Sequence, residues 1–155
     1  MVSNEKINVL YVDDELNNIN SFKATFRRDF NVFIASSGKE GLEILKKNSI
    51  PVIITDQRMP EMTGVEFLVE VLKFYPETIR ILLTGYSDLN AVVDAVNKGQ
   101  IFYYVNKPWD EQQLRIIINN GHEIFSLREK NKILMDKLMI SNDQLEFLLR
   151  QKLIS

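Results

Sequence analysis

Five times along the chain, a short run of β-branched and apolar residues gives way to a few polar ones and then to an apolar stripe at helical spacing. The runs are Ile7–Val12 and residues 31–35, 51–55, 79–83 and 101–105. The stripes between them are Leu16, Ile19, Phe22 and Phe26, then a second helix reaching about Lys47, then Val65, Leu68, Val71 and Leu72, then Leu89, Val92, Val93 and Val96. Local signals mark the joints. Ser37 with Glu40, Thr63 with Glu66, and Asp110 with Gln113 have the spacing of helix capping boxes, while Gly99 suits a helix C-terminus. Strands and helices alternating through short connections can bury all their apolar faces together only as a parallel sheet covered on both sides.

The expected fold is therefore α/β, a flavodoxin-like (βα)5 doubly wound parallel sheet with strand order 2-1-3-4-5. In such sheets ligands bind at the carboxyl ends of the strands. Asp13 and Asp14 follow the first run, Asp56 the third, Thr84 the fourth and Lys107 the fifth. All five residues should gather at one edge. Taken singly each has a plainer reading, such as helix capping for the acids or a strand-end hydroxyl for Thr84.

Three carboxylates brought that close repel. At about 4 Å a pair of unit charges costs roughly 4 kcal/mol at an effective dielectric near 20. They call for a cation, and oxygen donors without histidine or cysteine suit Mg²⁺, with Mn²⁺ as its substitute. With the cation and the Lys107 ammonium in place, Asp56 can act as a nucleophile toward a phosphoryl group. A nucleotide-binding site is excluded here, because the turn after the first run is acidic where phosphate would need glycines and free N–H groups.

Composition removes other classes. A formal net charge of −2 gives no basic footprint for nucleic acid, and the absence of cysteine excludes disulfides and thiolate zinc sites. No run is long enough to cross a membrane, and residues 1–6 lack the apolar segment of a signal peptide, so the cytoplasm is the expected location.

The pair Asp13-Asp14, Asp56 followed by Met59-Pro60 and Gly64, Thr84-Gly85, and Lys107-Pro108 occur in the order and spacing of one family. Over residues 6–122 the chain resembles the receiver domain of two-component response regulators. The resemblance implies that Asp56 accepts a phosphoryl group from a histidine of a sensor kinase or phosphotransfer protein. It implies Mg²⁺ held by Asp14 and Asp56, with Asp13 acting through a bound water and the main-chain carbonyl of Arg58 completing the set. Lys107 would pair with the phosphoryl oxygens across a cis bond to Pro108, Thr84 would move toward the phosphoryl group, and Tyr104 would be the aromatic that turns inward with it. Such a domain is a signalling device and not a turnover enzyme. The competing reading is a phosphorylation-independent interaction module with the same fold. Residues 84–88 and 104–110 further resemble receivers joined to second-messenger enzymes.

The fifth helix does not stop where the sheet ends. Ile117, Ile124, Asn131, Leu138 and Leu145 fall at a positions of a heptad, and Leu127, Leu134, Ser141 and Leu148 at d positions. The expected division is a receiver over residues 1–121 and a helical extension over 122–155. That extension should pair as a parallel homodimeric coiled coil, with Asn131 selecting an in-register, two-stranded state.

Overall fold

The computed structural model describes residues 5–154, so the polar start from Met1 to Asn4 and the terminal Ser155 lie outside the described residues. The chain divides into two compact units, Met1–Phe125 and Ser126–Ser155.

The first unit carries strands β1 (Ile7–Val12), β2 (Phe30–Ala35), β3 (Val52–Asp56), β4 (Ile79–Thr84) and β5 (Tyr103–Asn106). They alternate with helices α1 (Leu16–Phe26), α2 (Gly38–Lys47), α3 (Gly64–Phe74) and α4 (Leu89–Asn97), and α5 (Glu111–Ile154) begins in this unit. All four ladders are parallel and the order is β2-β1-β3-β4-β5, as expected. Side chains alternate between the two faces of each strand. Val9, Tyr11, Ile54, Ile81 and Leu83 join Phe22 and Phe26 of α1 and Leu114 and Ile118 of α5 in one core. Leu10, Val12, Ile53 and Leu82 meet Phe67, Leu68, Val71 and Val92 in the other.

Several local expectations are corrected. Leu16 is 67% exposed because it opens the first turn of α1, and the buried stripe starts at Ile19. In α4 the buried residues are Val92 and Ala95, whereas Leu89 and Val93 are exposed; the short alanine faces the core where a second valine was expected. Ser37 caps α2, but Glu40 turns to the backbone N–H and hydroxyl of Ser36, so the box is half formed. Around Thr63 it is complete.

Arg80 was hidden in an apolar run, yet it is buried in β4. Its guanidinium donates to the carbonyls of Thr78 and Gln100, among others. Gly121 has an explanation that helix propensity alone did not supply. It is buried on α5, where a Cβ would stand 2.9 Å from Cγ2 of Ile79.

The second unit is helical throughout its described residues. Its large apolar side chains, from Leu127 to Ile154, are exposed. Asn131 and Ser141 are exposed too.

Candidate functional site

Strand register decides which residues meet. Val12 lies opposite Thr55, Asp56 opposite Leu83, and Thr84 opposite Asn106. The next residues out are Asp13 and Lys107, so acids and ammonium converge on one edge. The Lys107 N–H donates to the Thr84 carbonyl at 2.9 Å, which extends the ladder one step past the strands. The Lys107–Pro108 peptide is cis.

Asp56 is buried and its Oδ1 pairs with Nζ of Lys107. Burial pushes its carboxyl above the ordinary value; the hydrogen bond and charge of Lys107 oppose that shift, and the charge of Asp13 adds to it. One carboxylate oxygen from each of Asp13, Asp14 and Asp56 lies within 4.8 Å of the others. The donor set is all oxygen, which fits a hard divalent cation. Asp14 is exposed, leaving an open side for water ligands.

Asp13 is fully buried, and both its oxygens accept hydrogen bonds. The Tyr11 hydroxyl donates to Oδ2 at 2.8 Å and Asn18 Nδ2 at 3.1 Å, while the Glu15 N–H donates to Oδ1 at 3.0 Å. Tyr11 titrates far above its ordinary value, first through burial and then through the charge of Asp13. It stays a donor.

The loop after β3 is held from both sides. The Gly64 N–H donates to the Gln57 carbonyl at 3.0 Å, and the Gln57 side-chain oxygen accepts from the Val65 N–H at 2.9 Å, satisfying the start of α3. Gly64 sits so close that a Cβ would press on the main-chain oxygen of Asp56. Arg58 lies in this loop. Its guanidinium reaches Ser87 and Asp88, the latter at 3.1 Å, and the cleft between is lined by Asp56, Arg58, Gly85, Ser87 and Lys107.

Thr84 is buried at the end of β4, and its hydroxyl donates to the Gly85 carbonyl at 3.0 Å. Tyr104 stands apart from the acids, half-buried against the second core, with the exposed Tyr103 ring beside it at 6.5 Å. Ile124 packs against the first core, so the exposed apolar stripe begins at Leu127. Sequence reasoning passed over Tyr11, Asn18 and Gln57. A tyrosine in a buried strand beside the acids was the one available signal, because a buried hydroxyl must find a partner.

Residues 9–119 match the model of the response regulator receiver domain. The chain belongs to this family. The receiver is 40% identical over 108 residues to the hydrogenase transcriptional regulatory protein HoxA of Cupriavidus necator, covering 70% of this chain and 22% of that one. The regulatory protein AtoC of Escherichia coli is 31% identical over 134 residues, covering 86% of this chain and 29% of that one. The receiver thus spans about a quarter of the length of the curated relatives it matches. Among solved structures, the adenylate cyclase from Rhodopirellula baltica aligns with a TM-score of 0.82 at 34% identity, over 85% of this chain and 98% of that one. A receiver domain protein from Clostridium thermocellum aligns with a TM-score of 0.74 at 38% identity, over 78% of this chain and 98% of that one. Receivers of this family are signalling domains of two-component systems. Among the described residues, no helix is long and apolar enough to cross a membrane.

Proposed function

We propose that the receiver accepts a phosphoryl group on Asp56 from a phosphohistidine of a sensor kinase or phosphotransfer protein. One observation carries the reading: a buried carboxylate, paired with Lys107, shares its strand edge with two further acids at metal-holding distance. An Asp56 oxygen attacks phosphorus as the P–N bond breaks, and the departing imidazole nitrogen keeps the bonding pair and takes a proton from solvent. Lys107 then turns from the carboxylate to the phosphoryl oxygens, and Thr84 redirects its hydroxyl from Gly85 to the same group. Asp14, Asp56 and the Arg58 carbonyl would hold Mg²⁺, with Asp13 acting through a water. When bound, the ion would neutralise charge on the transferring oxygens. Tyr104 turns inward as Thr84 moves, shifting the population between two arrangements of the α4–β5–α5 face.

Residues 1–121 form the receiver and 122–155 the relay. The relay pairs in parallel with a second copy through Leu127, Leu134, Leu138, Leu145 and Leu148, with Asn131 in the seam and Ile124 at its receiver end. Exposure of these leucines along one helix supports that reading. The relay would control an output domain, and the chain acts in the cytoplasm.

The test is intact mass after incubation with acetyl phosphate and Mg²⁺, beside an EDTA control and Asp56→Asn. A gain of one phosphoryl group that needs both the ion and Asp56 is expected. No gain on folded, Mg²⁺-binding protein would make the chain a phosphorylation-independent interaction module.

A further inference from the structure

We infer that Tyr11 is a positioning residue for the cation site, acting through Asp13, and that its hydroxyl sets how tightly this receiver holds Mg²⁺. The inference rests on the reading of Asp13, Asp14 and Asp56 as the cation site. Tyr11 lies in the middle of the sheet with its side chain 1% exposed. Its neighbours in that core are otherwise apolar, and phenylalanine would fill the same space. The hydroxyl is what packing does not need, and it points at Oδ2 of Asp13 from 2.8 Å.

Two features make this contact a positioning device. The Tyr11 ring stacks on Phe22 with centroids 4.2 Å apart and planes 7° from parallel, so packing fixes the hydroxyl, which lies on the ring axis and does not move if the ring flips. The other two donors to Asp13 come from the rim: Glu15 offers a backbone N–H, and Asn18 shares its amide with a Glu15 oxygen at 3.4 Å. Among these contacts, only the Tyr11 bond is buried. It therefore holds the carboxylate plane from the protein side while the rim donors hold it from the solvent side. Groups that orient a metal-binding side chain without touching the metal typically change affinity by 10- to 100-fold when removed.

The experiment is a Mg²⁺ titration of the full chain by calorimetry, cross-checked by the fluorescence of Trp109, its one tryptophan, whose ring lies 6.1 Å from Phe22. Y11F keeps the ring and its stack and removes only the hydroxyl. Its dissociation constant for Mg²⁺ should rise about tenfold, with little change in the urea midpoint measured in EDTA. F22L breaks the stack and leaves the hydroxyl, so it should lower that midpoint and shift the dissociation constant by less than Y11F does. A Y11F constant within twofold of the parent's would overturn the inference, as would a larger shift in F22L than in Y11F. Failure of the parent itself to bind Mg²⁺ would overturn the cation-site reading with it. Normal Mg²⁺-dependent phosphorylation of the parent beside an unaltered Y11F would overturn the Tyr11 inference alone.

Discussion

At Asp56 burial outweighs the ammonium beside it, and the carboxyl holds its proton more tightly folded than unfolded. A group raised in this way adds stability below its unfolded pKa, and the contribution is lost as pH rises through the folded value. At neutral pH the ionised side chain is thus a net cost. Asp56→Asn should melt above the parent in metal-free buffer at pH 7, with the gap closing as pH falls through the raised folded value toward the ordinary carboxylate range; circular dichroism melts at several pH values would show it. Mg²⁺ should recover that cost in the parent. At a hundredfold excess over the dissociation constant the expected gain is about 2.7 kcal/mol, read as a shift in the urea midpoint, and Asp14→Ala should lose most of it. These residues were legible because each follows an apolar run. Tyr11 and Gln57 were not, since a strand tyrosine reads as core and nothing in Gln57 itself announces a bond to Val65.

Helices and strands occur in the expected order with several strand ends shifted by one or two residues, and the larger misreadings concerned which face each one buries. In α4 alternative stripes fit the same valines, and contact with the second core selects the one through Ala95. Arg80 was lost in an apolar run because its carbonyl acceptors lie outside that run, at Thr78 just before it and at Gln100 in a loop twenty residues on. Two element-scale effects can be weighed. Thr63→Ala removes a complete capping box and should cost about 1 kcal/mol in urea unfolding. Gly121→Ala gains roughly 1 kcal/mol of helix propensity but drives a methyl into Ile79, where overpacking costs about 1–3 kcal/mol. A net loss is expected, and a more stable variant would show that Ile79 yields freely.

On the scale of the whole molecule, the strand pattern made the receiver legible, whereas the state of the C-terminal helix depends on a partner surface that one chain does not contain. In the proposed pairing the heptad flanks carry Glu123, Lys130 and Lys137 at g positions and Arg128 at an e position, so Glu123 and Arg128 form an oppositely charged g–e pair at the receiver end, and Asn131 would add the choice of register. Size-exclusion chromatography with light scattering should report a dimer, and Leu138→Asp should return a monomer with an unchanged receiver; a parent that stays monomeric at high concentration would remove the coiled coil. The site draws on the carboxyl ends of β1, β3, β4 and β5, which leaves the opposite rim of the sheet chemically idle. There the turns near residues 76 and 99 are fastened by Arg80, whereas in the turn at 48–51 the Ser49 carbonyl accepts from the Asn8 side chain and the Pro51 carbonyl from the Ile79 N–H. A fluorescent protein spliced at the exposed Ser49 would ride on the domain as cargo on the rim opposite the acids, where the proposed phosphoryl transfer should run as in the parent.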